Sequence, residues 1–205
     1  MSKVSKYANT HTAITTGYTN PSNAYATGDS AYATAMPGSK NSEVAAYWGF
    51  PAFTTSDIPD GSTINSVTVK HVFKVSTNAS VAEEYIQLYL GTTSQGTEQV
   101  NVNEPLTDTE LSNAVTSVIT LSNLRTADFV RARTRSRRGN SNTSVTFSID
   151  YVLIEVDFTE PGSNFQKNVD DSVTCGDVTT LFQEHVRSLA DSVNASDSKS
   201  DLFSF

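Results

Sequence analysis

Between Thr63 and Val75 the apolar residues Val67, Val69, Phe73 and Val75 recur at every second position, with His71 completing the series. A spacing of two puts all five side chains on one face of an extended strand, and no helix can gather them. Ser144–Phe158 is a second long run of the same kind. Its apolar positions follow Val145, Phe147, Ile149 and Tyr151, then change phase to Val152, Ile154, Val156 and Phe158. A two-residue period changes phase only through an irregularity, so a β-bulge is expected near Tyr151-Val152.

Shorter runs fill the space between. Val44 to Phe53 carries Tyr47, Trp48, Phe50 and Phe53, with Pro51 marking an edge or a bend. Glu84 to Leu90, Val118 to Leu121 and Phe129 to Arg135 read as further strands. Residues 92–116 are polar, broken at Pro105, with a short helical turn expected at Asp108 to Leu111. Long helix-period segments are absent before residue 177, and an apolar fraction of 37% suits many half-solvated strands. The expected fold is all-β, an antiparallel β-sandwich of possible jelly-roll form over residues 18–158. Its expected core includes Trp48, Phe50, Phe53, Val69, Phe73, Phe147, Ile149 and Ile154. Residues 1–17 are polar with scattered apolar side chains and read as an N-terminal arm.

Residues 159–205 form a separate extension after the linker signal Pro161-Gly162-Ser163. They hold −5 of the formal charge of −8. Thr180 and Gln183 have capping-box spacing, and Phe182, Val186, Leu189 and Val193 follow at intervals of four, three and four. An amphipathic helix over about 180–194 is expected. With Phe203 and Phe205, its stripe demands burial on the sandwich, on symmetry mates or on a partner, and among symmetry mates a trimer is the expected arrangement.

Two phrases carry a resemblance. Asn20-Pro21-Ser22-Asn23-Ala24-Tyr25-Ala26 opens the body, and Ser148-Ile149-Asp150-Tyr151-Val152-Leu153-Ile154-Glu155-Val156 closes it. Together they resemble β-sandwich modules of tailed-bacteriophage virion proteins, also seen in bacterial surface proteins. The resemblance implies a virion structural protein, foremost a capsid decoration or cement protein gripping other virion proteins such as the major capsid, tail or neck proteins. A tail, neck or fibre component trimerised by the C-terminal helix is the alternative in the same setting. A carbohydrate-binding sandwich, with Tyr25, Tyr32, Tyr47 or Trp48 stacking on sugar rings, is an alternative of another class.

Chemistry is sparse. His11, His71 and His185 lack partners at triad or zinc spacing, and no glycine loop could cradle phosphate. No enzyme activity and no cofactor are expected. His71 reads as a partly buried neutral imidazole with a backbone partner. The pairs Asp57/Asp60, Glu83/Glu84 and Asp170/Asp171 read as solvated turn residues rather than calcium ligands. Cys175 has no second cysteine to pair with. No secretory h-region or membrane-length apolar run occurs, so synthesis in a host cytoplasm is expected, and the resemblance implies a place in the virion.

Arg131, Arg133 and Arg135 alternate on one strand face, with Arg137 and Arg138 beyond. Such a row repels itself unless acids on neighbouring strands or another subunit relieve it, unless it protects a sheet edge, or unless it meets a phosphate backbone. The acidic balance, with a pI near 4.8, speaks against nucleic acid.

Overall fold

The computed structural model describes residues 1–27, 31–78, 81–116 and 119–162. Among the described residues the strands are β1 (Ser2–Tyr7), β2 (Thr10–Ala13), β3 (Ala33–Ala35), β4 (Glu43–Gly49), β5 (Thr63–Val75), β6 (Ala82–Leu90), β7 (Thr93–Asn101), β8 (Thr109–Thr116), β9 (Val130–Arg138) and β10 (Phe147–Thr159). One short helix, α1 (Leu121–Leu124), and a 3-10 turn at Pro21–Ala24 join them.

The strands form two antiparallel sheets. In the first the order is β1-β10-β5-β8, with β3 also pairing β10, and in the second it is β2-β4-β9-β6-β7. From β3 onward the chain passes to the opposite sheet at each connection except the β6–β7 hairpin. That alternation is the winding of a jelly roll.

β5 presents Val67, Val69, His71, Phe73 and Val75 to the interior, as its alternation requires. β10 lies between β5 on one side and β1 and β3 on the other. Its register with β5 shifts between Ile149 and Tyr151, where Asp150 is skipped. The bulge lets Phe147 and Ile149, and then Val152, Ile154, Val156 and Phe158, all face the core despite their change of phase. The expected core residues Trp48, Phe50, Phe53, Val69, Phe73, Phe147, Ile149 and Ile154 are each no more than 3% exposed. Side chains of this size contribute about 1.5–3 kcal/mol apiece when withdrawn from water. Ala132 on β9 sits in register between Trp48 of β4 and Leu88 of β6, so a small residue makes room for two large ones.

Several expectations are corrected. Residues 1–17, read as an arm, contribute an edge strand to each sheet: β1 pairs residues 153–158 of β10 and β2 pairs residues 46–49 of β4. The crossing between them is tied by Ala8 N–H to the Val152 carbonyl at 2.9 Å and Asn9 N–H to the Gly49 carbonyl at 3.0 Å. The turn expected at Asp108 to Leu111 is the start of β8, which pairs with β5 from Phe73 to Ser66. The strand expected over Val118 to Leu121 gives way to α1. There Thr120 caps the helix, its Oγ1 accepting from Asn123 N–H while Asn123 Oδ1 accepts from Thr120 N–H at 2.9 Å. The expected helix and stripe of Phe182, Val186, Leu189, Val193, Phe203 and Phe205 lie outside the described residues, as do Cys175 and His185. No helix among the described residues is long and apolar enough to cross a membrane.

Candidate functional site

The outer face of the second sheet gathers most of the polar chemistry. β9 alternates small inward residues with outward arginines, because Ala132, Thr134 and Ser136 fit beneath the opposite sheet and the guanidiniums do not. Register then fixes four rows across the face. Glu43, Arg137 and Glu83 form one, Ala45, Arg135 and Tyr85 the next, Tyr47, Arg133 and Gln87 the third, and Gly49, Arg131 and Tyr89 the last.

The first two rows are internally neutralised. Arg135 donates to Glu43 at 3.0 Å and Glu98 at 2.7 Å, and its guanidinium lies 3.7 Å from the Tyr85 ring centroid. Arg137 pairs with Glu83 at 2.8 Å. Pairing of this kind was one of three relief mechanisms open from the sequence, and for these two arginines it operates within the sandwich.

The other two rows differ. Arg133 Nη1 donates to the Tyr89 hydroxyl at 3.2 Å, and Arg131 Nε donates to the Asp128 backbone carbonyl at 2.5 Å. Among the described residues, neither guanidinium has a carboxylate within 4.0 Å. Tyr47 and Tyr89 meet edge to face at 5.2 Å, and Arg131 stands 5.9 Å from the Tyr47 ring. Gln87 Nε2 donates to the Gly96 carbonyl at 3.0 Å. The Asp128 carboxylate, at the end of the last row, accepts from Thr10 Oγ1 at 2.7 Å. It comes so close to β4 that a Cβ on Gly49 would stand 2.1 Å from it and 2.3 Å from Thr10 Oγ1, so a larger residue there would displace both side chains.

Arg138 is not part of this stripe. It falls on the inward phase of β9, 6% exposed, and its guanidinium is held by the Ser141 carbonyl at 2.8 and 3.1 Å. Of the four side chains expected to stack on sugars, Tyr47 alone lies on this face. Trp48 is wholly buried among His11, Tyr18 and Tyr25 and donates Nε1–H to Thr134 Oγ1 at 2.8 Å. The Tyr32 ring is covered by the Lys74 ammonium at 3.9 Å. Tyr85, Gln87 and Tyr89 share this face by their two-residue spacing, with Tyr85 and Gln87 partly exposed and Tyr89 8% exposed.

A second constellation lies sealed inside. His71 of the first sheet and Glu84 of the second face each other, Nε2 to Oε1 3.8 Å, and both are 0% exposed. Burial lowers the imidazole to about 3. Burial likewise pushes the Glu84 carboxyl up to about 8, and the nearby Ser136 hydroxyl and Arg135 charge oppose this without cancelling it. Both groups are therefore neutral at pH 7, and the contact is not an ion pair. None of their side-chain polar atoms has a hydrogen-bond partner. His71, read as partly buried with a backbone partner, is fully buried and has no hydrogen-bond partner among the described residues, facing Glu84 at 3.8 Å instead, and Glu84 is no solvated turn residue. Asp57 and Asp60 do lie in a turn, but bound: Asp57 pairs with Lys6 at 2.7 Å and accepts from the Thr54 N–H and hydroxyl, while Asp60 pairs with Arg125 at 2.9 Å. Next to the inner pair, the Tyr18 hydroxyl lies 2.9 Å from both Thr134 Oγ1 and Ser136 Oγ, and burial raises its pKa. With no exposed atom, His71 and Glu84 cannot touch a substrate. Among the described residues no group of three or more His, Cys, Asp or Glu could hold a metal ion.

No family model matches the chain, and no curated protein does. Solved structures resemble it in fold. A structure described as "CBM4 structure and function" matches with TM-score 0.40 and 10% identity, covering 76% of this chain and 94% of its own. The CBM32 of AlyQ in complex with 4,5-unsaturated mannuronic acid matches with TM-score 0.38 and 14% identity over 74% and 97%. The enzymatically active domain of bacteriophage CBA120 tailspike protein 4 matches with TM-score 0.35 and 8% identity over 76% and 19%. None of these scores is high enough to assign a family or a ligand.

Proposed function

We propose that this chain is a non-catalytic β-sandwich module that binds a glycan on the outer face of its second sheet. The observation that carries this reading is the third and fourth rows: Tyr47 offers a partly buried ring beside Arg131, Arg133 and Gln87, whose donors are only partly used within the protein. Sugars present apolar ring faces ringed by hydroxyls, and such a mixture of aromatic face and planar donors meets both. The phrases at residues 20–26 and 148–156 favour a tailed-phage virion as the setting, where a module that meets a bacterial surface has use for a sugar-reading face.

The test is retention of the full chain on gels containing polysaccharides. Binding that is lost in Tyr47→Ala, with no reducing ends released, supports the reading. Absence of binding to every polysaccharide removes it. Trp48→Ala is no useful probe, because it would hollow the core.

A second reading, a decoration or cement protein, is favoured by a different surface. Val81, Val102 and Leu106 are 61%, 60% and 55% exposed. They are gathered at one end of the sandwich, where the Glu104 carboxylate accepts from Ala82 N–H and the Pro105 carbonyl from Val75 N–H. Exposed apolar side chains so grouped suit a contact with other virion proteins or with copies of the chain, a trimer foremost. Light scattering of the full chain decides the latter: a trimeric mass that becomes monomeric in Val102→Asp with Leu106→Asp supports it, and a monomer at all concentrations removes the homotrimer.

A further inference from the structure

We infer that the ligand of this face is an anionic glycan, with Arg131 and Arg133 as the counter-charges that select it. The inference rests on the glycan reading above and adds the chemical class of the ligand.

Charge placement carries it. Four guanidiniums line the outer face of β9, and the carboxylates Glu43, Glu83 and Glu98 are drawn to the Arg135–Arg137 end. The Arg131–Arg133 end keeps its positive charge, in a chain whose net charge is −8. Asp128 is adjacent to Arg131 among the described residues, and its carboxylate is engaged by Thr10 while its backbone carbonyl, not its side chain, accepts from Arg131 Nε–H. Each guanidinium therefore keeps N–H groups for an oxyanion, and an arginine fork matches a carboxylate with two parallel bonds.

The buried side of the site is already set. Arg133 Nε is withdrawn from solvent and has no partner, while its Nη1 is fixed by the Tyr89 hydroxyl. The fork is thus oriented by Tyr89 before any ligand arrives, and Tyr47 against Tyr89 fixes the neighbouring ring. Arg131 and Arg133 stand about 7 Å apart along the strand by its rise, so one extended polymer can meet both. A nucleic acid strand fits less well. Its unbroken line of phosphates would have to pass Glu43, Glu83, Glu98 or Asp128 within a few residues of the arginines.

The experiment is calorimetric titration of the full chain with oligogalacturonate, with a sulfated galactan, with neutral xylohexaose and with oligo(dT). Arg133→Gln, Arg133→Lys and Tyr47→Ala are compared with the unaltered chain, and an unfolding midpoint confirms that each variant is folded. An anionic glycan is expected to bind, to weaken about tenfold in Arg133→Gln, less in Arg133→Lys, and to weaken further as salt rises. Preference for the uronate identifies a ring carboxylate as the recognised group, and preference for the galactan identifies a sulfate ester. Equal affinity for xylohexaose, unchanged in Arg133→Gln, would overturn the anionic inference while leaving the glycan reading in place. Binding of no glycan, or of oligo(dT) alone, would overturn both.

Discussion

His71 Nε2 and Glu84 Oε1 stand 3.8 Å apart at the centre of the sandwich, one from each sheet, and neither reaches water. Each group is kept neutral by burial, which gives stability a distinctive dependence on pH. Glu84 titrates at about 8 folded against 4.5 unfolded, so its contribution is whole below 4.5 and is lost as pH rises toward 8. His71 titrates at about 3 folded against 6.5 unfolded, so its contribution is whole above 6.5 and is lost as pH falls toward 3. Between pH 4.5 and 6.5 the two slopes cancel. The expected profile is a plateau there, with losses of about 1–2 kcal/mol on either side. Chemical denaturation across pH 3–9 would show it, and Glu84→Gln should abolish the alkaline loss and, with nothing left to cancel the His71 slope, extend the acid loss up to pH 6.5. An unchanged alkaline limb in that variant would mean that Glu84 is ionised in the fold.

Tyr18→Phe tests the network beside this pair. The lost hydroxyl leaves Ser136 without its neighbour at 2.9 Å, whereas Thr134 keeps the Trp48 Nε1–H. A cost of about 1–2 kcal/mol is expected from urea denaturation. A smaller cost than ~0.5 kcal/mol would show that Ser136 finds another partner.

Gly139→Ala should be among the most damaging small substitutions. A Cβ there would stand 2.3 Å from the Val81 carbonyl oxygen, a backbone atom that cannot swing aside. Gly139 N–H also donates to that carbonyl at 2.9 Å, so relief of the clash costs the hydrogen bond. A loss of about 2–3 kcal/mol is expected, read as a lowered thermal midpoint.

The arginine row should divide in its effect on stability. Arg135 bridges Glu43 and Glu98 with its side chain only 19% exposed, and Arg135→Ala leaves two carboxylates without their shared cation. About 1–3 kcal/mol is expected to be lost. Arg131→Ala gives up one bond to a backbone carbonyl and should cost under about 1 kcal/mol. Equal losses at the two positions would contradict the division of the face into a neutralised half and an open half.

Much of this fold was legible because its longest strands advertise themselves. The alternation of β5 and the phase change of β10 locate the core and its bulge from side-chain type alone. β8 escaped because Asn113 interrupts the series of Leu111 and Val115. The buried Asn113 amide instead donates to the Thr97 carbonyl at 2.7 Å and accepts from Leu88 N–H at 3.2 Å. β7 escaped because an edge strand with polar side chains on both faces has no period to read. β1 and β2 were hidden by their shortness: Val4 and Tyr7 offer too little apolar area to signal a strand, and their place depends on pairing with chain far away. For the site, alternation placed the arginines on one face, but which of them found acids depended on the register of β4, β6 and β7. Glu84 looked like its neighbour Glu83, and one residue of phase separates a surface ion pair from a buried neutral acid.

The central position of β10 bears on how the chain reaches this fold during synthesis. All five strands of the second sheet are complete by Arg138, whereas the first sheet lacks its middle member until Thr159. Until then β1, β3 and the β5–β8 pair have nothing to join them, and Phe73 and Val69 are flanked by β8 on one side alone. A nascent chain stopped near residue 140 therefore holds one finished layer and three loose ribbons, and pairings such as Ser2 with Phe158 are made last. Non-local closure of this kind is slow, and the exposed layer is the stage at which aggregation competes with folding.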